Sequence, residues 1–290
     1  MSQYPPTGGY PPPGPGQPYP PPGQPYPPPG QPYPPPGGYP PPGAVTAQPG
    51  ADAWMMKPTI PSMSCPPGLE YLTQIDQLLV CQTVELLEAF VGIECQNKFK
   101  INNSMGQQVY YAAEESGFCT RQCCGPHRGF TMHVCDNLGQ EVIRAQREFK
   151  CCAGCPWCAC LNCCAYEIVV EAPVGTVCGY VRQSCSVIKP VFEVLNEHQE
   201  SVLKLEGPFC ICQCPCCDVD FELETPDGQV VGKVSKQWSG FIKEIFTEAD
   251  NFGINFPMDL DVKVKATLVG AVFLINMMFF ENNQQRNDNS

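Results

Sequence analysis

Hydrophobic and polar side chains alternate along much of residues 99–234, which is the pattern of β-strands with one buried face and one solvated face. The clearest case is 218–224, where apolar residues at every second position are separated by acidic ones. The sequence Thr225-Pro226-Asp227-Gly228 follows and favours a turn, and 230–234 returns as a partner strand. This stretch therefore predicts a β-hairpin.

The same hairpin plan recurs at intervals, with a cysteine cluster between hairpins in each half. Phe130 and Phe192 are 62 residues apart and Phe149 and Phe209 are 60 apart, which indicates an internal duplication. Many short antiparallel strands favour a closed barrel, because closure removes unpaired sheet edges. The other predicted hairpins pair 99–101 with 109–112, 130–134 with 141–145, 166–170 with 177–181 and 192–195 with 202–205.

Two segments have a different pattern. Residues 238–248 carry apolar side chains at near-helical spacing and predict a short amphipathic helix. Residues 266–280 are uncharged and almost wholly apolar, which predicts a second helix, whereas 260–265 alternate as in a strand. Fifteen helical residues reach about 22 Å, less than a hydrocarbon core of about 30 Å. The helix is therefore either enclosed by the barrel or spans a membrane after rearrangement or local thinning.

Composition separates a tail from this folded part. Residues 1–67 contain 26 of the 34 prolines, and Asp52 and Lys57 are the only charged residues among the first 60. The segment Gln-Pro-Tyr-Pro-Pro-Pro-Gly repeats three times over 17–37. We expect residues 1–65 to be disordered, because too few apolar side chains offset the entropy of ordering them. PxxP spacing fits SH3-type domains, and a plain solvated spacer is the alternative.

Charge and motifs exclude several classes of function. The net charge is −12, from 17 basic and 29 acidic residues, so a general nucleic-acid binder is not expected. Overall charge would also hold the chain weakly to anionic lipid, so membrane attachment must come from apolar groups or acyl chains. No hydrolase, kinase or nucleotide-binding motif is recognisable, and we expect no enzyme.

A disulfide scaffold is not expected for the 21 cysteines, since the first residues contain no basic and apolar runs typical of a secretory signal. They should be mostly thiols, metal ligands or acylated residues. Three interpretations of the clusters stay open: acylation beside a membrane, zinc binding, and plain packing. A second cluster comprises Cys210, Cys212, Cys214, Cys216 and Cys217. The first cluster comprises Cys151, Cys152, Cys155, Cys158, Cys160, Cys163 and Cys164.

Residues 248–259 are similar to a twelve-residue calcium loop. Carboxylates at Glu248, Asp250 and Asp259 occupy its first, third and last positions, and a glycine occupies the sixth. Carbonyls of Phe252 or Ile254 would have to complete the site, so we expect weak binding, with a dissociation constant of about 10⁻⁴ M or higher. A turn with a buried aromatic pair is the alternative.

Several long strings resemble the phospholipid scramblase domain. Pro66-Pro67-Gly68-Leu69-Glu70-Tyr71-Leu72 is similar to the start of that domain, and 232–241 and 249–254 are similar to its second half. The ending from 260 to 281 completes a resemblance that covers about 66–281. The first cysteine cluster is longer and more interrupted than the family's compact run, and Glu248 stands where the family usually has Asp.

The resemblance implies a tubby-like fold, a twelve-stranded antiparallel barrel over 66–265 around an apolar helix at 266–281, with a polar tail at 282–290. It implies calcium-activated, ATP-independent, bidirectional phospholipid movement between leaflets. It also implies palmitate on the first cysteine cluster and a type II plasma-membrane protein whose barrel faces the cytoplasm. The family's nuclear-import stretch corresponds to Lys233, Lys236 and Trp238.

Two functions compete at this point. One is a scramblase, which with a single short helix would need a homo-oligomer or a thinned bilayer to move head groups. The other is a membrane-tethered adaptor that recruits SH3-type partners through its proline-rich tail. If the helix spans, Lys263 and Lys265 before it and Glu281 after it place the barrel in the cytoplasm.

Overall fold

The computed structural model describes the barrel, its core helix and part of its connections. Residues 1–53 and 60–64 of the predicted tail, the second cysteine cluster, the predicted helix at 238–248 and the polar tail lie outside the described residues. The rest of the predicted tail is ordered: Trp54 forms a β-bridge with Gln108, and Cys65 is buried in the core. The described ranges are 54–59, 65–83, 95–117, 120, 123–153, 158–161, 163–209, 219–237 and 251–280.

Twelve antiparallel strands form a closed up-and-down barrel, in which each strand pairs with the one before it and the last, β12, pairs with β1. Two short 3-10 helices, Glu70–Gln74 and Gly125–His127, precede β1 and β4. The predicted closed antiparallel barrel is confirmed. The strands are β1 (Gln77–Thr83), β2 (Cys95–Asn103), β3 (Gln108–Glu115), β4 (Phe130–Cys135), β5 (Glu141–Arg147), β6 (Glu167–Glu171), β7 (Val177–Ser184), β8 (Val191–Asn196), β9 (Ser201–Glu206), β10 (Val219–Glu224), β11 (Val230–Gln237) and β12 (Asn251–Asn255).

All five predicted hairpins are present, and side chains within their turns fix the registers. Asp136 Oδ1 accepts hydrogen bonds from the backbone N–H groups of Leu138 at 2.9 Å and Gln140 at 3.0 Å. Gly139 in the same turn has φ +75°, a conformation that favours glycine. These local bonds are the reason that short polar sequences between alternating strands indicate turns.

The C-terminal helix, α1 (Val262–Phe279), lies inside the barrel, and its residues from Lys265 to Met277 are all buried. Aromatic rings of strands far apart around the barrel pack on it: the ring centroid of Phe99 is 5.3 Å from that of Phe273, and Phe192 is 6.3 Å from Phe279. A Cβ atom at Gly270 would lie only 2.5 Å from Val170 Cγ2, so helix and strand meet too closely for a side chain there. The enclosed alternative of the sequence prediction is therefore the observed one.

The predicted strand at 260–265 is wrong. Residues 262–265 form the first turn of α1, and Asp261 caps it by accepting a hydrogen bond from the Lys263 backbone N–H at 2.8 Å. The physical reason is that β12 already pairs with both β1 and β11, which leaves no free edge for another strand. Alternation over six residues was too short a signal to outweigh this closure.

A buried lysine holds the start of α1. Lys265 is fully buried, and its Nζ donates to the carbonyl oxygens of Leu72 at 2.9 Å, Ile75 at 2.8 Å and Met258 at 2.7 Å. Nζ also lies 5.1 Å from the centre of the Phe256 ring. The three hydrogen bonds tie the helix to the segment before β1 and to the turn after β12.

By length and composition, α1 is the one helix within the described ranges that is able to cross a membrane. Its 18 residues reach about 27 Å, closer to a hydrocarbon thickness of about 30 Å than the 15 residues expected from the sequence. In the observed state 72% of those residues are buried by the protein itself. In this state the helix is therefore part of the hydrophobic core.

Replacing Lys265 with alanine should lower the free energy of unfolding by about 2–4 kcal/mol, because three buried carbonyls lose their donor and a cavity remains. Chemical denaturation monitored by tryptophan fluorescence measures the change. Lys263→Ala is the matched control: Lys263 Nζ forms a partly exposed ion pair with Glu197 at 2.9 Å, and its loss should cost less than about 1 kcal/mol. Equal losses in the two variants would show that Lys265 does not secure the helix.

Candidate functional site

The up-and-down topology divides the connections between two mouths of the barrel. Connections that follow odd-numbered strands meet at one end, here called the long-loop mouth, and the tight hairpin turns meet at the other, the short-turn mouth. Because β12 ends at the short-turn mouth, α1 begins there and its last turn reaches the long-loop mouth. The described residues of the long-loop mouth are 116–117, 120, 123–129, 148–153, 158–161, 163–166, 185–190 and 207–209.

The first cysteine cluster lies on the connection between β5 and β6, at the long-loop mouth. Its thiols form two neighbouring pairs, with 3.6 Å between the sulfur atoms of Cys151 and Cys152 and 3.7 Å between those of Cys163 and Cys164. Lys150 Nζ donates to the carbonyl oxygen of Ala165 at 2.9 Å, which ties the two ends of the connection together. Cys164 is buried, and Cys155 lies outside the described residues. The other five thiols of the cluster are exposed: Cys151, Cys152, Cys158, Cys160 and Cys163.

The pairing changes the chemistry of two thiols. A hydrogen bond with Cys163, assisted by burial, raises the pKa of Cys164 to about 11. A hydrogen bond with Cys151 likewise raises the pKa of Cys152. Since the thiolate is the nucleophile and the metal ligand, these two thiols are less ready for acyl transfer or metal binding at neutral pH. No group of three or more metal-ligating side chains is arranged to hold an ion within the described ranges.

Beneath this mouth, a buried ion pair meets the last turns of α1. Arg128 donates to both carboxylate oxygens of Glu114, at 2.7 and 2.9 Å, with the side chains 3% and 0% exposed. The same guanidinium donates to the Met277 sulfur at 3.3 Å. Asn97 Nδ2 supplies another hydrogen bond to Glu114, at 2.6 Å. Both charged side chains therefore have several hydrogen-bond partners, which offset the cost of burying them.

A second buried arginine, Arg147, forms hydrogen bonds with the backbone of Arg128. Arg147 lies between two aromatic rings, 4.7 Å from the centre of Phe130 and 4.9 Å from that of Tyr166. It donates to the Arg128 carbonyl oxygen at 3.2 and 2.5 Å. Sequence reasoning missed this network, because nothing local in the sequence shows that Glu114 and Arg128 face each other. The network fixes the connections of the long-loop mouth against the helix end.

An apolar cavity of about 230 Å³ opens beside the last residues of α1. The connections between β7 and β8 and between β9 and β10 form its walls, and Met278 and Phe279 form its floor. Three side chains of these walls are exposed to solvent: Val187 by 74%, Ile188 by 59% and Phe209 by 73%. Lys189, at the edge of the cavity, pairs with Glu206. Among its described residues, this mouth therefore has exposed apolar side chains around the cavity.

Three of the five predicted calcium ligands, Phe252, Ile254 and Asp259, are among the described residues. Phe252 and Ile254 are buried in β12, Asp259 is exposed in the turn after it, and Glu248 and Asp250 lie outside the described residues. The strand consequently stands between the first and last positions of the predicted loop. The alternative, a turn with a buried aromatic pair, is right in part. Phe252 and Phe256 are both buried, but 251–255 form a strand that pairs on both sides.

The lysines of the nuclear-import-like stretch lie on β11 and are turned toward different surroundings. Lys236 is buried, with its Nζ 4.5 Å from the centre of the Phe280 ring. Lys233 is exposed and forms an ion pair with Asp220 at 2.8 Å. Trp238 lies outside the described residues.

Comparison with known proteins gives one consistent result. Residues 55–282 match the family model described as Scramblase. The chain is similar to phospholipid scramblase 2 of Bos taurus, with 53% identity over 241 residues that cover 82% of this chain and 80% of the relative. It is similar to phospholipid scramblase 1 of Homo sapiens, with 53% identity over 230 residues, 79% of this chain and 70% of the relative.

A solved X-ray structure of an Arabidopsis thaliana protein aligns with 76% of this chain and 99% of its own length. Its sequence identity is 11% and its TM-score is 0.37, a likeness too weak to bear on fold or function.

Proposed function

The chain belongs to the scramblase family, and we propose that it moves phospholipids in both directions between membrane leaflets, activated by calcium and without ATP. The observation that supports this most is the enclosed helix α1, which is apolar all round and ends at a mouth with exposed apolar side chains and thiols. Family membership implies association with phospholipid membranes. No covalent chemistry is needed, only a lower barrier for a head group that otherwise loses its hydration in hydrocarbon.

In this proposal α1 leaves the barrel and enters the bilayer with its C-terminal end leading. The buried Lys265 and the partly exposed Lys263 at its start would then lie at the cytoplasmic interface, where long basic side chains are tolerated. The barrel would face the cytoplasm at the plasma membrane, as in a type II protein. One helix offers no hydrophilic groove, so a homo-oligomer or local thinning would complete the path.

Purified full-length protein in proteoliposomes should increase the bleaching of labelled phospholipid by dithionite, and calcium should raise the rate. Deleting residues 1–50 should leave this rate unchanged, because the tail contributes no lipid contact in the proposal. The deletion spares Trp54, whose ring lies 5.8 Å from that of Tyr111, and Met55, whose N–H donates to the Gln108 carbonyl at 2.8 Å.

The adaptor is the rival function, since the PxxP spacing of the tail fits SH3-type domains. It would replace the scramblase if the purified protein moved no lipid at any calcium level while deletion of 1–50 abolished partner binding in cells.

We further propose that thiols of the first cysteine cluster carry palmitate, because they lie on the mouth where α1 ends and several are exposed. Several chains are expected, since one acyl chain holds a membrane only marginally. Changing all seven cysteines of 151–164 to serine should remove most hydroxylamine-sensitive fatty-acyl labelling in cells. Cys185→Ser is the control, an exposed thiol at the same mouth outside the cluster. Undiminished labelling, or one zinc ion per purified chain, would favour the other interpretations.

For calcium, we propose that Glu248, Asp250 and Asp259 supply the charge, helped by carbonyls of Phe252 or Ile254. Because β12 lies between these carboxylates, one ion bound by all of them would have to draw 251–255 out of its ladders with β1 and β11. Calcium would thus weaken the barrel beside α1 and favour release of the helix.

Asp259→Ala should therefore abolish the calcium-induced change in tryptophan fluorescence, which in the unaltered protein should be half complete at about 10⁻⁴ M or higher. Asp227→Ala, an exposed carboxylate in a hairpin turn, should respond as the unaltered protein does. A response that survives in Asp259→Ala would place the calcium site elsewhere.

A further inference from the structure

We propose that the first cysteine cluster is also a redox site, in which a disulfide joins one of the thiols Cys151 and Cys152 to one of the thiols Cys163 and Cys164 after reaction with a hydroperoxide. The disulfide closes the β5–β6 connection at its base. Its formation is independent of the proposed function, whereas its consequence for acylation rests on the palmitate proposed there.

The register of β5 and β6 sets the two ends of this connection opposite each other. Along the ladder, each step forward on β5 is matched by one step back on β6, and the last pair is Arg147 with Ile168. Three steps farther, the same register sets Lys150 opposite Ala165, and Lys150 Nζ donates to the Ala165 carbonyl oxygen at 2.9 Å. The two chains therefore stay side by side up to the first cysteines.

The next two steps of this register are both pairs of cysteines. Cys151 is opposite Cys164, and Cys152 is opposite Cys163. Residues directly opposite in antiparallel chains have Cα atoms about 4.5–5.5 Å apart, within the range of about 4.4–6.8 Å that a disulfide needs. Cys152 also has a hydrogen bond with Cys164. The four thiols thus form one group at the base of the connection.

A disulfide across the connection is favoured over one within either pair of adjacent cysteines. The sulfur atoms within the pairs are close, at 3.6 Å and 3.7 Å. However, a disulfide between adjacent cysteines closes a small ring that includes their peptide bond, and the ring forces this bond away from its planar trans form. A bond between opposite cysteines avoids this strain and adds a covalent link beside the hydrogen bond of Lys150.

The reaction has two steps. Hydrogen bonds within the pairs raise the pKa of Cys152 and Cys164, so the first thiolate belongs to Cys151 or Cys163, which are both exposed. Its sulfur attacks the hydroperoxide: an S–O bond forms, the O–O bond breaks, and an alcohol, or water from hydrogen peroxide, leaves with a proton. The opposite thiol then attacks the sulfenic acid, the S–O bond breaks, and water leaves with that thiol's proton. Two thiols are oxidised and one hydroperoxide is reduced.

Oxidation and acylation compete for the same sulfur atoms, because a sulfur in a disulfide cannot form a thioester. A disulfide at the base of the connection therefore withholds at least two of the seven thiols of the cluster from palmitate. Since membrane attachment depends on the number of acyl chains, oxidation weakens it. A reductant reverses the effect, because thiols restore one another by exchange.

The test uses full-length protein from bacteria, which carries no palmitate, after a chelator has removed bound metal. The triple variant Cys155→Ser, Cys158→Ser, Cys160→Ser keeps only the four thiols at the base of the cluster. After treatment with hydrogen peroxide, alkylation and chymotrypsin, mass spectrometry should find a peptide ending at Trp157 joined to one ending at Tyr166. Adding Cys151→Ser and Cys152→Ser should remove this product, whereas adding Cys185→Ser should not.

A glutathione redox buffer measures whether the fold brings the thiols together. The equilibrium constant for the linking disulfide should be at least about tenfold larger in the folded triple variant than in urea, because the unfolded chain must first close the loop. No linked peptide from the folded protein, or equal constants in the two conditions, would overturn the redox site. Loss of two hydrogen atoms within one peptide, without linkage, would do the same.

The competition with acylation has a separate readout. Oxidised triple variant incubated with palmitoyl-CoA, an acyl donor that transfers to free thiols, should gain at least two fewer palmitoyl groups than the reduced triple variant. Equal gains would overturn the competition. A linked peptide in a protein that never carries palmitate in cells would contradict the proposed acylation and leave the disulfide standing.

Discussion

A helix that is apolar on every side must be enclosed, and this constraint organises the whole molecule. In water the twelve strands provide the enclosure, and they need to close into a barrel because an open sheet would leave part of α1 exposed. The packing is close enough that Gly270 has no room for a side chain against Val170. The barrel and its helix therefore form one core, and neither element has a complete apolar interior without the other.

Much of this fold was predictable because local chemistry and tertiary packing agree. The hairpin around Asp136 has alternating strands, an aspartate that bonds its own turn and a glycine at positive φ, and each signal is readable within ten residues. By contrast, β12 was not recognised, since Asn251–Asn255 contains glycine and asparagines, which are depleted in strands. It is a strand because β1 and β11 flank it. Strand β1 has a continuous apolar run at 78–81, so alternation does not reveal it.

The candidate site was predictable in its composition and not in its arrangement. The cysteine cluster and its position between hairpins were visible in the sequence, and the alternation of up and down strands would have placed it at one mouth. The Arg128–Glu114 pair and the hydrogen bonds of Lys265 were not visible, because their partners are set by barrel closure. Lys265 in particular has the residue type of a solvated position, and only the three carbonyls around it make burial tolerable.

The short segment between β12 and α1 limits how the helix can move. Residues 256–261 span at most about 21 Å when fully extended, whereas α1 is about 27 Å long. A helix advancing lengthwise through the long-loop mouth would be stopped by this tether before its start had left the barrel, and Lys265 would have to follow it through an apolar channel. Complete exit of α1 therefore requires β12 to separate from a neighbouring strand, either β1 or β11. The strand that closes the barrel thus also determines whether the helix can leave it.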